Sequence, residues 1–110
     1  MKKLAIEAVK DRVGVELEMC EETLRDMPAR DYTRQQLVWV ADNNDLMDVL
    51  ESNKWPKPKS AKAKQLTRTL HQLVKDELEV QDENDTDENK EQSAMFITQA
   101  KALMAFLNRS

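Results

Sequence analysis

"LVWVADNND", residues 37–45, decides the fold of this chain. Five apolar residues in a row suit a buried strand as well as a buried helix. The surrounding composition favours the helix. One glycine and three prolines in 110 residues are too little punctuation for the closely spaced turns of a many-stranded fold. Leu, Ala, Glu, Lys, Gln and Met dominate the rest of the chain, and all are good helix formers. Read this way, residues 32–52 form a central buried helix, apolar on nearly all sides. "DNND" at 42–45 kinks or splits it, with Asn43 or Asn44 capping a new turn that leads to Leu46, Met47, Val49 and Leu50.

The flanking segments repeat the helical signal. Before the run, Ile6, Val9, Val13, Leu17, Cys20, Leu24 and Met27 recur at spacings of three and four, one face of a helix over residues 3–27. Pro28 ends it, because proline cannot continue a helix interior. After the run, "KWPKPKS" at 54–60 favours an extended connection, since a residue before proline avoids the helical region. Ser60 then caps a third helix over 61–80, with Ala63, Leu66, Leu70, Leu73 and Val74 inward. A fourth, over 89–108, carries the stripe Phe96, Ile97, Ala100, Leu103, Met104 and Leu107. The expected fold is all-α: a compact bundle of four, or five, helices in antiparallel hairpins. It forms a single domain over residues 1–110, with a basic proline-containing linker at 53–60 and a mobile acidic loop at 82–89.

Several function classes find no residues here. Cys20 and His71 are the only residues of their types, so a Cys/His metal cluster cannot be assembled. Gly14 lies inside the first helix, which leaves no glycine-rich phosphate loop. "DENDTDENKEQS" at 82–93 looks suited to calcium, yet no register fits the calcium-binding loop pattern. Starting at Asp82, position 6 is Asp87 and position 12 is Ser93; starting at Asp85, position 12 is Phe96. We expect no enzyme, no cofactor and no metal. A lone cysteine points to a reducing compartment. The N-terminal lysines are followed by Glu7, Lys10 and Asp11, which break any signal-peptide apolar core. A cytoplasmic protein with no membrane partner is expected.

Charge is unevenly placed. Residues 1–53 hold 7 bases and 12 acids, and residues 76–110 hold 3 bases and 9 acids. Residues 54–75 between them hold 7 bases and no acid. Lys54, Trp55, Lys57 and Lys59 lie on the linker. Lys64, Arg68, His71 and Lys75 recur at 4, 3 and 4 on the third helix, opposite its apolar stripe. This block is a candidate contact for phosphate or for an acidic protein surface. The ordinary reading is the solvated face of an amphipathic helix.

The first helix carries a second apolar stripe: Leu4, Ala8, Val15 and Met19, with Glu7, Asp11, Glu18 and Glu22 as an acidic ridge among them. Two apolar faces on one helix cannot both meet the same core, so the second is a candidate association surface for a partner or a second copy. The leading expectation is a small non-enzymatic binding protein acting by protein–protein contact, as a regulator, inhibitor or assembly adaptor. Phage-encoded and bacterial accessory proteins are often of this type. The alternative is a nucleic-acid-binding accessory protein using residues 54–75 without sequence specificity. A third reading is an acidic DNA mimic built on Glu7, Asp11, Glu18, Glu22 and residues 76–91, and the basic block argues against it.

Overall fold

The computed structural model describes residues 5–81 and 87–109. It contains four α-helices: α1 (Glu7–Arg25), α2 (Arg34–Ser52), α3 (Ala61–Gln81) and α4 (Asp87–Leu107), with a 3₁₀ turn (Ala29–Asp31) between the first two. No strand occurs among the described residues. Residues 82–86 of the expected acidic loop, and with them its expected mobility, lie outside the described residues, while 87–89 belong to α4.

Local chemistry fixes each boundary. After α1, the Tyr32 hydroxyl donates to the Leu24 carbonyl at 2.8 Å, satisfying one of the acceptors that a helix end leaves open. α2 opens with a reciprocal capping box. The Gln36 N–H donates to Thr33 Oγ1 at 3.0 Å, and the Thr33 N–H donates to Gln36 Oε1 at 2.9 Å. α2 closes on Asn53, whose φ of 59° places it in the left-handed region that asparagine tolerates. The Ala63 N–H donates to Ser60 Oγ at 3.2 Å, so Ser60 caps α3 as expected.

The expected break at 42–44 does not form. α2 runs unbroken from Arg34 to Ser52. Asp42, Asp45 and the Asn43 amide N–H find partners that leave the backbone helical. Asn43 is fully buried and donates to the Trp39 carbonyl at 2.9 Å, while Asp42 and Asp45 accept from Gln65 Nε2 of α3 at 2.9 and 3.1 Å. The expected burial of residues 37–41 fails as well. Leu37 and Val38 are half exposed, Ala41 is exposed, and Trp39 and Val40 are half-buried. α2 enters the core through its second half, with Leu46, Val49 and Leu50.

α1 pairs with α2 and α3 pairs with α4, and the two hairpins join through α1 on α4 and α2 on α3. The shared core gathers Val9 and Val13 from α1 with the α2 residues above. It adds Ala63, Leu66, Leu70, Leu73 and Val74 from α3, and Phe96, Ala100, Leu103 and Leu107 from α4. Each leucine buried there stabilises the fold by roughly 1.5–3 kcal/mol relative to its exposed state.

Candidate interaction surface

A polar chain crosses the bundle and touches all four helices. Trp39 Nε1 of α2 donates to Glu16 of α1 at 2.8 Å. Glu16 also accepts from Arg12 Nη1 at 2.8 Å, and Arg12 Nε donates to Glu77 of α3 at 3.1 Å. Glu77 in turn accepts from the Ser93 hydroxyl of α4. Burial opposes the Arg12 charge, but hydrogen bonds and proximity to Glu16 and Glu77 more than compensate and hold its pKa above the ordinary guanidinium value. This chain was not visible in sequence, because Arg12 and Glu77 are 65 residues apart.

Beside Arg12 opens a groove of about 350 Å³ between α1 and α4. Ala8 and Phe96 line it along the core, and Val15 and Met95 form its apolar walls. Ala8 is pinned there by its N–H, which donates to Gln99 Oε1 of α4 at 2.8 Å. Val15, Met19 and Met95 are 50%, 53% and 57% exposed, values well outside the core range. The second stripe of the first helix is therefore placed as follows. Ala8 is half-buried in the groove, Val15 and Met19 are solvent-facing, and Leu4 lies outside the described residues. Met95 was missed in sequence because it falls off the α4 core stripe, next to Phe96.

Glu7, Asp11, Glu18 and Glu22 are all exposed, and none forms an ion pair among the described residues. At 100° per residue they occupy the solvent side of the Ala8–Val15–Met19 strip, whose other side is bordered by α4 at Ala8 and Val15 and by α2 at Met19. Cys20 lies nearby. Burial, with a further push from the Glu16 charge, raises its thiol pKa, so it is a poor nucleophile at neutral pH.

The basic block sits elsewhere. Lys54, Lys57, Lys59, Lys64, Arg68, His71 and Lys75 are all exposed. None is ion-paired among the described residues, whereas the neighbouring Lys62 meets Asp45 at 3.4 Å. The linker that carries the first three is docked, not a free arm. Trp55 packs edge-on against Phe106 at a ring separation of 5.9 Å, and the Lys59 N–H donates to the Leu107 carbonyl at 3.0 Å. Arg109 covers the same Phe106 ring at 4.4 Å. Trp55 is thus held by the bundle, and the lysines are presented from a fixed backbone at the end of α4.

No cluster of three or more His, Cys, Asp or Glu suited to a metal occurs among the described residues. Within them, no helix is long and apolar enough to cross a membrane. No protein-family model, curated protein or solved structure matches this chain.

Proposed function

We propose that this chain is a non-enzymatic helical binding module that acts by contact with another protein, in the manner of a regulator, inhibitor or adaptor. The observation that carries this reading is the apolar surface of α1. Val15 and Met19 stay about half exposed, although the core closes with Val9 and Val13 on the opposite face. Large apolar side chains grouped on one solvent-facing strip, edged by charge, are the usual composition of a contact surface. Affinity capture from the source cell tests it. Wild-type protein should retain a protein species that Val15→Glu loses, with the helical circular dichroism spectrum unchanged. Equal retention by both would remove α1 from the contact.

The exposed row Lys64, Arg68, His71 and Lys75, without an ion pair among the described residues, supports a second reading as a non-specific nucleic-acid accessory. Changing Lys64, Arg68 and Lys75 together to Gln should then lower the slope of log affinity against log salt on duplex DNA by about 0.9 for each lost phosphate contact. Absence of duplex binding at physiological salt would end that reading.

A further inference from the structure

We infer that the groove between α1 and α4 receives a basic amphipathic helix of another protein. The inference rests on the protein-contact reading above and names the partner class. Three features define the occupant. Ala8 and Val15 face Met95 and Phe96 across an open groove, which asks for an apolar stripe on whatever enters. From Glu7 to Val15 the groove runs about 12 Å along the α1 axis, the length of roughly two turns of an entering helix. Such a helix would seat anchors at i, i+3, i+4 and i+7. Its outer flank would lie along Glu7, Asp11, Glu18 and Glu22, carboxylates with no cation of their own among the described residues. Unlike the paired Glu16 and Glu77, these are available to lysine or arginine of a partner, where they would speed encounter and reject acidic helices.

A second copy of this chain does not meet both demands. Its own basic row, Lys64, Arg68, His71 and Lys75, lies on the face of α3 opposite the stripe Ala63, Leu66, Leu70 and Leu73, and that stripe is fully buried. A copy would bring charge to the groove with Leu78 on α3 and Val38 of α2 beside Arg68 as exposed large apolar neighbours, on two helices and not as one helical stripe. Nucleic acid fails on charge, since the groove is edged by acids.

The test uses the full chain and three synthetic 18-residue peptides. The first is an amphipathic helix of Leu and Lys, the second replaces each Lys by Glu, and the third scrambles the first. Binding is followed by titration calorimetry and by the methyl resonances of Ala8, Val15, Met95 and, as a control on α2, Val38. The Leu/Lys helix should bind saturably, shift the first three methyls and leave Val38 unmoved. It should bind at least tenfold tighter than either other peptide. Asp11→Lys combined with Glu18→Lys should weaken it at least tenfold, and so should Val15→Ser combined with Met95→Ser. Leu37→Ser combined with Val38→Ser should have no effect.

Equal binding of the scrambled peptide would overturn the inference, as would shifts centred on Val38. In the second case the protein-contact reading survives on another face. Concentration-dependent dimerisation abolished by Val15→Glu would assign the groove to a second copy and also overturn the inference, again leaving the broader reading intact. Failure of every peptide, together with equal capture by wild type and Val15→Glu, would remove both.

Discussion

The two hairpins of this bundle hold similar apolar sequences and use them differently. In the α3–α4 hairpin the stripe residues Ala63, Leu66, Leu70, Leu73, Ala100, Leu103 and Leu107 are all essentially inaccessible to solvent. In the α1–α2 hairpin the core takes Val9 and Val13 from the first half of one helix, and Leu46, Val49 and Leu50 from the second half of the other. The second half of α1, with Met19, and the first half of α2, with Leu37 and Val38, meet each other and solvent, while Val15 borders the groove against α4. The overall dimensions, 47 × 36 × 20 Å, give the reason. A thickness of 20 Å is about two helix diameters, so each hairpin has a single layer against it. The comparison shows that apolar content does not measure a helix's share of the core. Coverage by a neighbour does, and what is left uncovered is available for contact.

The largest expected effect tests the tightly packed side of that contrast. Leu70→Ala removes a fully buried side chain from the middle of α3 and leaves a cavity that its neighbours fill only partly. The cost should be about 3–4 kcal/mol, read as a lower urea midpoint at unchanged slope. A loss under about 1 kcal/mol would mean that the α3–α4 stripe is no better packed than the α1–α2 faces, and the contrast between the hairpins would fail.

Next in size is the polar chain that ties the two hairpins together. Arg12→Ala strands the carboxylates of Glu16 and Glu77, whose side chains are only 12% and 19% exposed. Removing one partner of a fully buried pair costs about 3–5 kcal/mol, and partial solvation reduces this to roughly 2–3 kcal/mol here. Arg12→Lys should recover part of it, since one ammonium reaches a single carboxylate well but cannot fork to both. If Arg12→Ala is neutral at low and high salt, the chain of contacts does not hold the hairpins together.

Much of the fold could be read from sequence because its signals are local. Spacing of three and four placed the whole α3 stripe correctly, and Ser60 announced the α3 start. The Thr33–Gln36 box is an equally local signal, and it starts α2 at Arg34 and not at Tyr32. Two errors came from reading polarity locally. "DNND" reads locally as a helix break, yet Asp42 and Asp45 are satisfied by Gln65, which lies 23 and 20 residues away. "LVWVA" reads as buried because it is apolar, although burial depends on which helices lie against it. The candidate site divides along the same line. Val15 and Met19 follow from one helix's periodicity, whereas Met95, Glu77 and the groove depend on how α1, α3 and α4 come together.

A smaller and opposite effect is expected at Gly14. It lies mid-helix in α1, where glycine is disfavoured by about 1 kcal/mol relative to alanine. A Cβ added there would meet only the terminal methyl of Met47, at 3.7 Å, an ordinary contact. Gly14→Ala should therefore stabilise the protein by roughly 0.5–1 kcal/mol, seen as a rise in the thermal midpoint. A destabilised variant would show that α1 packs on α2 more closely than its half-exposed faces indicate, and would narrow the contrast between the hairpins.

The smallest expected change tests the contrast most directly. Val15 and Met19 already expose about half their surface, so changing both to Ser removes little that folding buries. Val15 borders the groove against α4 and Met19 the cleft against Trp39 and Val40 of α2, both outside the Val9–Val13 core. Serine lowers helix propensity by a few tenths of a kcal/mol per site relative to methionine, and replacing β-branched valine offsets part of that. The double variant should keep its unfolding free energy within roughly 0.5–1 kcal/mol of wild type, with unchanged far-ultraviolet circular dichroism. The same pair should sharply reduce binding of a Leu/Lys helix. Stability and binding then separate, as an apolar face reserved for a partner requires. Should the double variant instead lose 2 kcal/mol or more, the strip is part of this chain's own packing, and α1 would resemble α3 after all.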